Sequence, residues 1–124
     1  MRHPNEKGQA SVELALLLPL LLLFLLLLTQ IGLLVERQVL VVHVAREAAR
    51  KAAVTGSVTQ IKNDALSKSA LEKDRLSFDI NRGGVVGSSA TVHVIYNDPT
   101  DVPLVGPLLP SVKLQATVST RVEQ

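Results

Sequence analysis

At 124 residues the chain has room for one domain plus a long apolar run, and with no cysteine it can form neither a disulfide framework nor a thiolate metal site. Thirteen Lys and Arg against eleven Asp and Glu leave a formal charge of +2, the cations are scattered along the chain, and the aromatics are two Phe and one Tyr. That combination argues against nucleic acid as a partner, because phosphate binding needs a concentrated basic face and usually stacking aromatics.

The chain opens with a short polar leader, residues 1–8, that carries Arg2 and Lys7 and ends in Gly8. Glu13 follows five positions later, and residues 14–28 contain only Leu, Ala, Pro and Phe. Extended to Val35 the apolar run is 22 residues long, and a helix of that length spans about 33 Å, enough to cross a bilayer. A secretory signal peptide would have a shorter core, no acid at its front edge and a small-x-small cleavage site; "TQIGLLVERQ" supplies no such site. A plain single-pass anchor explains the apolarity but leaves Gly8 and Glu13 without a reason. A basic leader ending in Gly, four residues, a Glu and about twenty apolar residues is the pattern of a class III-type prepilin leader. A membrane-embedded aspartyl peptidase on the cytoplasmic side needs extended, unhindered backbone at the scissile bond, which glycine allows. Cleavage after Gly8 would free an amine at Gln9, with Glu13 one helical turn inside the new end. The helix dipole favours a carboxylate there, but lipid makes it costly unless it is paired. The free amine of a neighbouring subunit is the expected partner.

Past the span, "LLVERQVLVVHVAREAARKAAVTG" keeps helical character. Ala45, Ala48, Ala49, Ala52 and Ala53 form a small-residue stripe at helical spacing, and Glu47 and Lys51 are an i,i+4 pair. Gly56 is a stop signal. One helix over about residues 10–54 is expected, on the order of 65 Å long, acting as a stalk; Pro19 removes one backbone bond within it. "SVTQ" predicts a capping box with Ser57 as cap, opening a helix through about Glu72 with Val58, Ile61, Ala65, Leu66 and Ala70 on its apolar face. The period then changes to two. Leu76, Phe78 and Ile80, then "ATVHVIYN", then Val112, Leu114, Ala116 and Val118 predict three strands, with "NRGGVVGSS" as a turn. The fold class is therefore α+β and pilin-like: a long N-terminal transmembrane and stalk helix, a short helix and a small three-stranded antiparallel sheet. The layout is a leader over 1–8, a transmembrane helix over 9–35, a helical continuation over 36–55 and an extracytoplasmic head over 56–124. A head of about 70 residues is marginal alone. The Pro-rich apolar loop over 102–109 reads either as a subunit-facing or membrane-facing patch or as a lid on the sheet.

The sequence resembles the TadE-like minor pilins, or pseudopilins, of the tight-adherence pilus system. "GQASVELALLLPLLLLFLLLL", with Pro19, is similar to the family's opening, "QVLVVHVAREAARKAAV" to its second block, and "DVPLVGPLLPSVKLQATVSTRVE" to its closing block. Leu14 departs from the aromatic that many members carry after the glutamate. The resemblance implies processing by the system's prepilin peptidase, retention by one membrane helix, and a role in pilus assembly, initiation or adhesion. Its partners would be membrane lipid, the peptidase, other pilin subunits and the Tad assembly machinery. The major pilin of such systems is far shorter, which favours the minor-pilin assignment.

Nothing in the sequence supports catalysis, a cofactor or a small-molecule substrate. His3, His43 and His93 lie far apart without metal-ligand spacing. Gly83, Gly84 and Gly87 precede no Lys-Ser/Thr and open no helix. Ser88 and Ser89 lack a nucleophile elbow, and Asp98 and Asp101 beside Pro99 read as turn residues. The prepilin pattern requires a cytoplasmic N-terminus, whereas Arg2 and Lys7 before the span against Arg37, Arg46, Arg50 and Lys51 after it lean the other way. The alternative function is a static single-pass anchor with an extracytoplasmic binding module.

Overall fold

Helix α1 runs from Pro4 to Val54 in the computed structural model, which describes residues 4–99 and 102–122. It starts earlier than the sequence suggests, at a proline whose fixed φ and missing N–H suit the first helical position. Gly8 costs such a helix about 1 kcal/mol, too little to break it. Pro19 lies inside α1 without ending it. The helix closes before Gly56, with Lys51 in its last turn and the Thr55 N–H donating to the Lys51 carbonyl at 2.7 Å.

Helix α2, Val58–Lys68, begins where the capping pattern places it, the Ser57 hydroxyl accepting from the Gln60 N–H. It ends four residues before the expected Glu72, because Ser69 turns extended and its N–H bonds the Leu66 carbonyl. Its buried residues are Ile61 and Ala65; Val58 and Ala70, expected on the same face, are exposed. Three strands follow: β1 (Leu76–Arg82), β2 (Ser89–Asp98) and β3 (Val112–Arg121), paired antiparallel in the order β1-β2-β3. The α+β order expected from the sequence is the order observed. The turn between β1 and β2 uses Gly87 at φ 89°, a conformation glycine adopts at no steric cost. It is tied to the end of β3 by Gly87 N–H to Val122 O at 2.9 Å and Val122 N–H to Ser88 O at 2.8 Å.

The described chain divides into two units. In one, Leu33–Pro99 with the residues from Ser111 onward, the sheet, α2 and the C-terminal half of α1 share a core. Val41, Val44, Ala45, Ala48, Ala49 and Ala52 of α1 are buried, as are Val92, Val94 and Tyr96 of β2 and Ile61 of α2. The alanine stripe is thus a packing face: small side chains let the sheet approach the helix, while the valines of β2 fill the space between. The other unit is the helix up to Gly32 together with the 102–110 segment. The apolar loop therefore groups with the N-terminal half of α1.

Candidate functional site

The three residues singled out for processing and subunit interaction, Gly8, Gln9 and Glu13, all sit on α1 with exposed surfaces. Gln9 and Glu13 are one helical turn apart on one face. A side chain built at Gly8 would meet nothing within 4 Å. The helix that starts at Pro4 runs through the Gly8–Gln9 bond.

Beyond Glu13 the helix is apolar all round. Leu16 is 74% exposed and Phe24 57%, and the other large residues between them face outward as well. A helix apolar on every side is stable when apolar surroundings cover it, and the segment is long enough to cross a membrane. The Thr29 hydroxyl donates to the Leu25 carbonyl at 2.9 Å, which satisfies it within the helix. Gln30 departs from this pattern. It is 2% exposed, and neither its Nε2 nor its Oε1 has a hydrogen-bond partner.

At the head end, the Arg37 guanidinium pairs with the Asp98 carboxylate and donates to the Pro99 carbonyl at 3.1 Å. Gln38 donates to the Gln115 carbonyl at 3.1 Å. Asp98 is not the turn residue the sequence suggests. It is the last residue of β2, in phase with Ala90, Val92, Val94 and Tyr96, and 1% exposed. The alternation of β2 carries that signal, since Asp98 falls on the apolar register; its partner 61 residues earlier leaves none. Around Tyr96, burial raises the phenol above its ordinary pKa of 10.0. Lys51 pairs with Asp64, its hydrogen bond and charge holding that carboxyl below 3.8, and Lys68 reaches Glu47 at 3.3 Å.

The remaining concavities offer little chemistry. A groove of about 360 Å³ between α1 and α2 is lined by Leu40, His43, Val44 and Ala65, and Glu47 and Lys68 at its wall bond each other. His43 and His93 lie on α1 and β2, while His3 and Asp101 fall outside the described residues. Among the described residues no group of three or more His, Asp or Glu is placed to hold a metal ion. Gly83, expected in a turn, has no room for a side chain, since an added Cβ would meet the Ser88 hydroxyl at 2.2 Å.

An exposed, uniformly apolar N-terminal helix joined to a small α+β unit fits a single-pass membrane anchor. In comparison with known sequences, residues 8–50, about a third of the chain, match the family of TadE-like proteins. Over that stretch, from Gly8 through the apolar run and into the alanine stripe, the sequence is similar to TadE-like proteins. No curated protein and no solved structure matches it.

Proposed function

We propose that the chain is a minor pilin of a Tad-type pilus, cleaved after Gly8 by a prepilin peptidase and acting in pilus assembly, initiation or adhesion. The observation that carries this is the coincidence of Gly8, four residues and Glu13 at the lip of an apolar helix whose side chains face outward on every side. A chance Gly-x4-Glu has no reason to sit there. In this reading residues 1–8 are removed, 9–35 span the cytoplasmic membrane with the N-terminus inside, 36–55 continue the helix, and the rest of the chain is extracytoplasmic. Gln9 supplies the new amine, and Glu13 pairs with the amine of another pilin subunit. The helical Gly8–Gln9 bond must unwind to enter a peptidase. Glycine, among the weakest helix formers, lowers the cost of unwinding there by about 1 kcal/mol relative to alanine.

The basic residues after the span do not decide against this orientation. Arg37 is committed to Asp98 and Lys51 to Asp64, so both have roles inside the folded unit that account for their presence. The second reading, a static single-pass anchor, predicts the same helix with its leader intact. N-terminal sequencing and intact mass of the chain from its native membranes separate the two. A start at Gln9 supports the pilin; a start at Met1 leaves the static anchor.

A further inference from the structure

We infer that the 102–110 loop is a second membrane-embedded element, inserted beside α1 into the acyl region of the leaflet nearer the C-terminal end of the span. The inference rests on α1 being a membrane span, and not on the pilus role.

Four observations carry it. The loop belongs to the same unit as the apolar half of α1, so it lies with the part of the chain that meets lipid. Its sequence, "VPLVGPLLP", holds no charged residue. Val102 and Val105 are buried, whereas Leu104 is 62% exposed, Leu108 78% and Leu109 42%. One apolar edge is thus packed inward and another is turned out. Gln30 is 2% exposed while residues 8–29 are exposed or half-buried, and within this unit the segment available to cover it is the loop. Gln30 lies five residues inside the end of the apolar run at Val35, about 8 Å along the helix axis. A loop that covers it is therefore below the surface of the bilayer.

Non-helical backbone is tolerated at that depth only when its polar groups are satisfied. This loop is built for that condition. Pro103, Pro107 and Pro110 have no N–H to satisfy. The N–H groups of Gly106, Leu108 and Leu109 donate within the loop, to Val102, Val105 and Gly106 carbonyls at 2.7, 3.1 and 3.3 Å. Six of the nine positions thus present no N–H in search of water. The exposed valines of the β1–β2 turn, Val85 at 73% and Val86 at 67%, provide the contrast. They belong to the unit of the sheet, and the inference places them in water.

The chain contains no cysteine, so single cysteines can be introduced and spin-labelled directly. The test uses the full chain in phosphatidylethanolamine–phosphatidylglycerol vesicles, with labels at Leu104→Cys, Leu108→Cys, Leu109→Cys, Val86→Cys and Leu22→Cys. Power saturation then compares collisions with oxygen, which concentrates in lipid, and with a water-soluble nickel chelate. The expected result is an oxygen-to-nickel ratio at the three loop positions several-fold above that at Val86 and close to that at Leu22. Loop labels as nickel-accessible as Val86, with Leu22 in lipid, overturn the inference and leave the anchor intact. Loop labels shielded from both reagents overturn it in favour of a protein surface, a second copy or another subunit. A nickel-accessible Leu22 overturns the membrane span and this inference together. Because all three leucines are exposed, replacing them removes little internal packing, and the unaltered circular dichroism of each variant checks that.

Discussion

Asp98 ties the end of β2 to Arg37 of α1. A carboxylate at 1% exposure has left water almost entirely, and such a charge is tolerable only when paired. Arg37 supplies the pair and also binds the Pro99 carbonyl, so one guanidinium holds the end of β2 where the chain departs for the apolar loop. The net stabilisation from a buried ion pair is modest, but removing one partner strands the other. Arg37→Ala should therefore cost about 3 kcal/mol, read as a lowered midpoint in denaturant unfolding of the detergent-solubilised chain. Arg37→Ala combined with Asp98→Asn should recover part of that loss, since no buried charge is then left unpaired. A single mutant as stable as the parent would show that Asp98 finds another partner or water.

The C-terminal half of α1 and β2 both contribute fully buried residues to the shared core. Ala45, Ala48 and Ala52 of the helix are 0% exposed, and so are Ala90, Val92 and Val94 of the strand. On the outer face of the sheet, Thr91 bonds Ser119 at 3.0 Å and His93 reaches Thr117, an ordinary hydroxyl-rich solvent side. A helix that presents alanine to a valine-bearing sheet leaves no space for a larger side chain. Ala48→Leu should thus destabilise the sheet-bearing unit by about 1–3 kcal/mol through overpacking. Arg46→Leu, on the exposed side of the same helix, should leave the unfolding midpoint nearly unchanged. Equal effects from both would mean that the alanine stripe faces outward as a free stalk.

For the molecule as a whole, the processing hypothesis separates from folding more cleanly than is usual. Gly8 has open space around it and Glu13 is exposed, so neither substitution disturbs a packed neighbour. Gly8→Val should leave membrane insertion intact and abolish the shorter product in cells carrying the peptidase, a mass difference visible by intact-protein mass spectrometry. Glu13→Ala should still be cleaved and inserted, yet co-purify with other pilins at a fraction of the parental yield. Normal trimming of the Gly8 variant would remove the main support for the pilin reading. Unchanged association of the Glu13 variant would leave the carboxylate without its proposed amine partner.

The elements that depend on neighbouring residues were legible before any coordinates. The span follows from an unbroken apolar run, β1 to β3 from period-two alternation, and the start of α2 from a serine placed to accept from the Gln60 N–H. Each is written within a dozen residues because its hydrogen bonds are local. The proposed processing motif is a reading of the same kind, a spacing along one chain segment. What required the tertiary structure was every statement about which faces meet. The alanine stripe could have been a stalk in water or a packing face, and its sequence is equally suited to either. Asp98 next to proline looked like a turn because Arg37, 61 positions away, leaves no mark on the residues around it. The grouping of the apolar loop with the N-terminal half of α1 likewise leaves no mark on the loop's own residues. Those choices were decided by burial between segments distant in the chain, where pairing a charge or covering an apolar face depends on what the rest of the fold brings within reach.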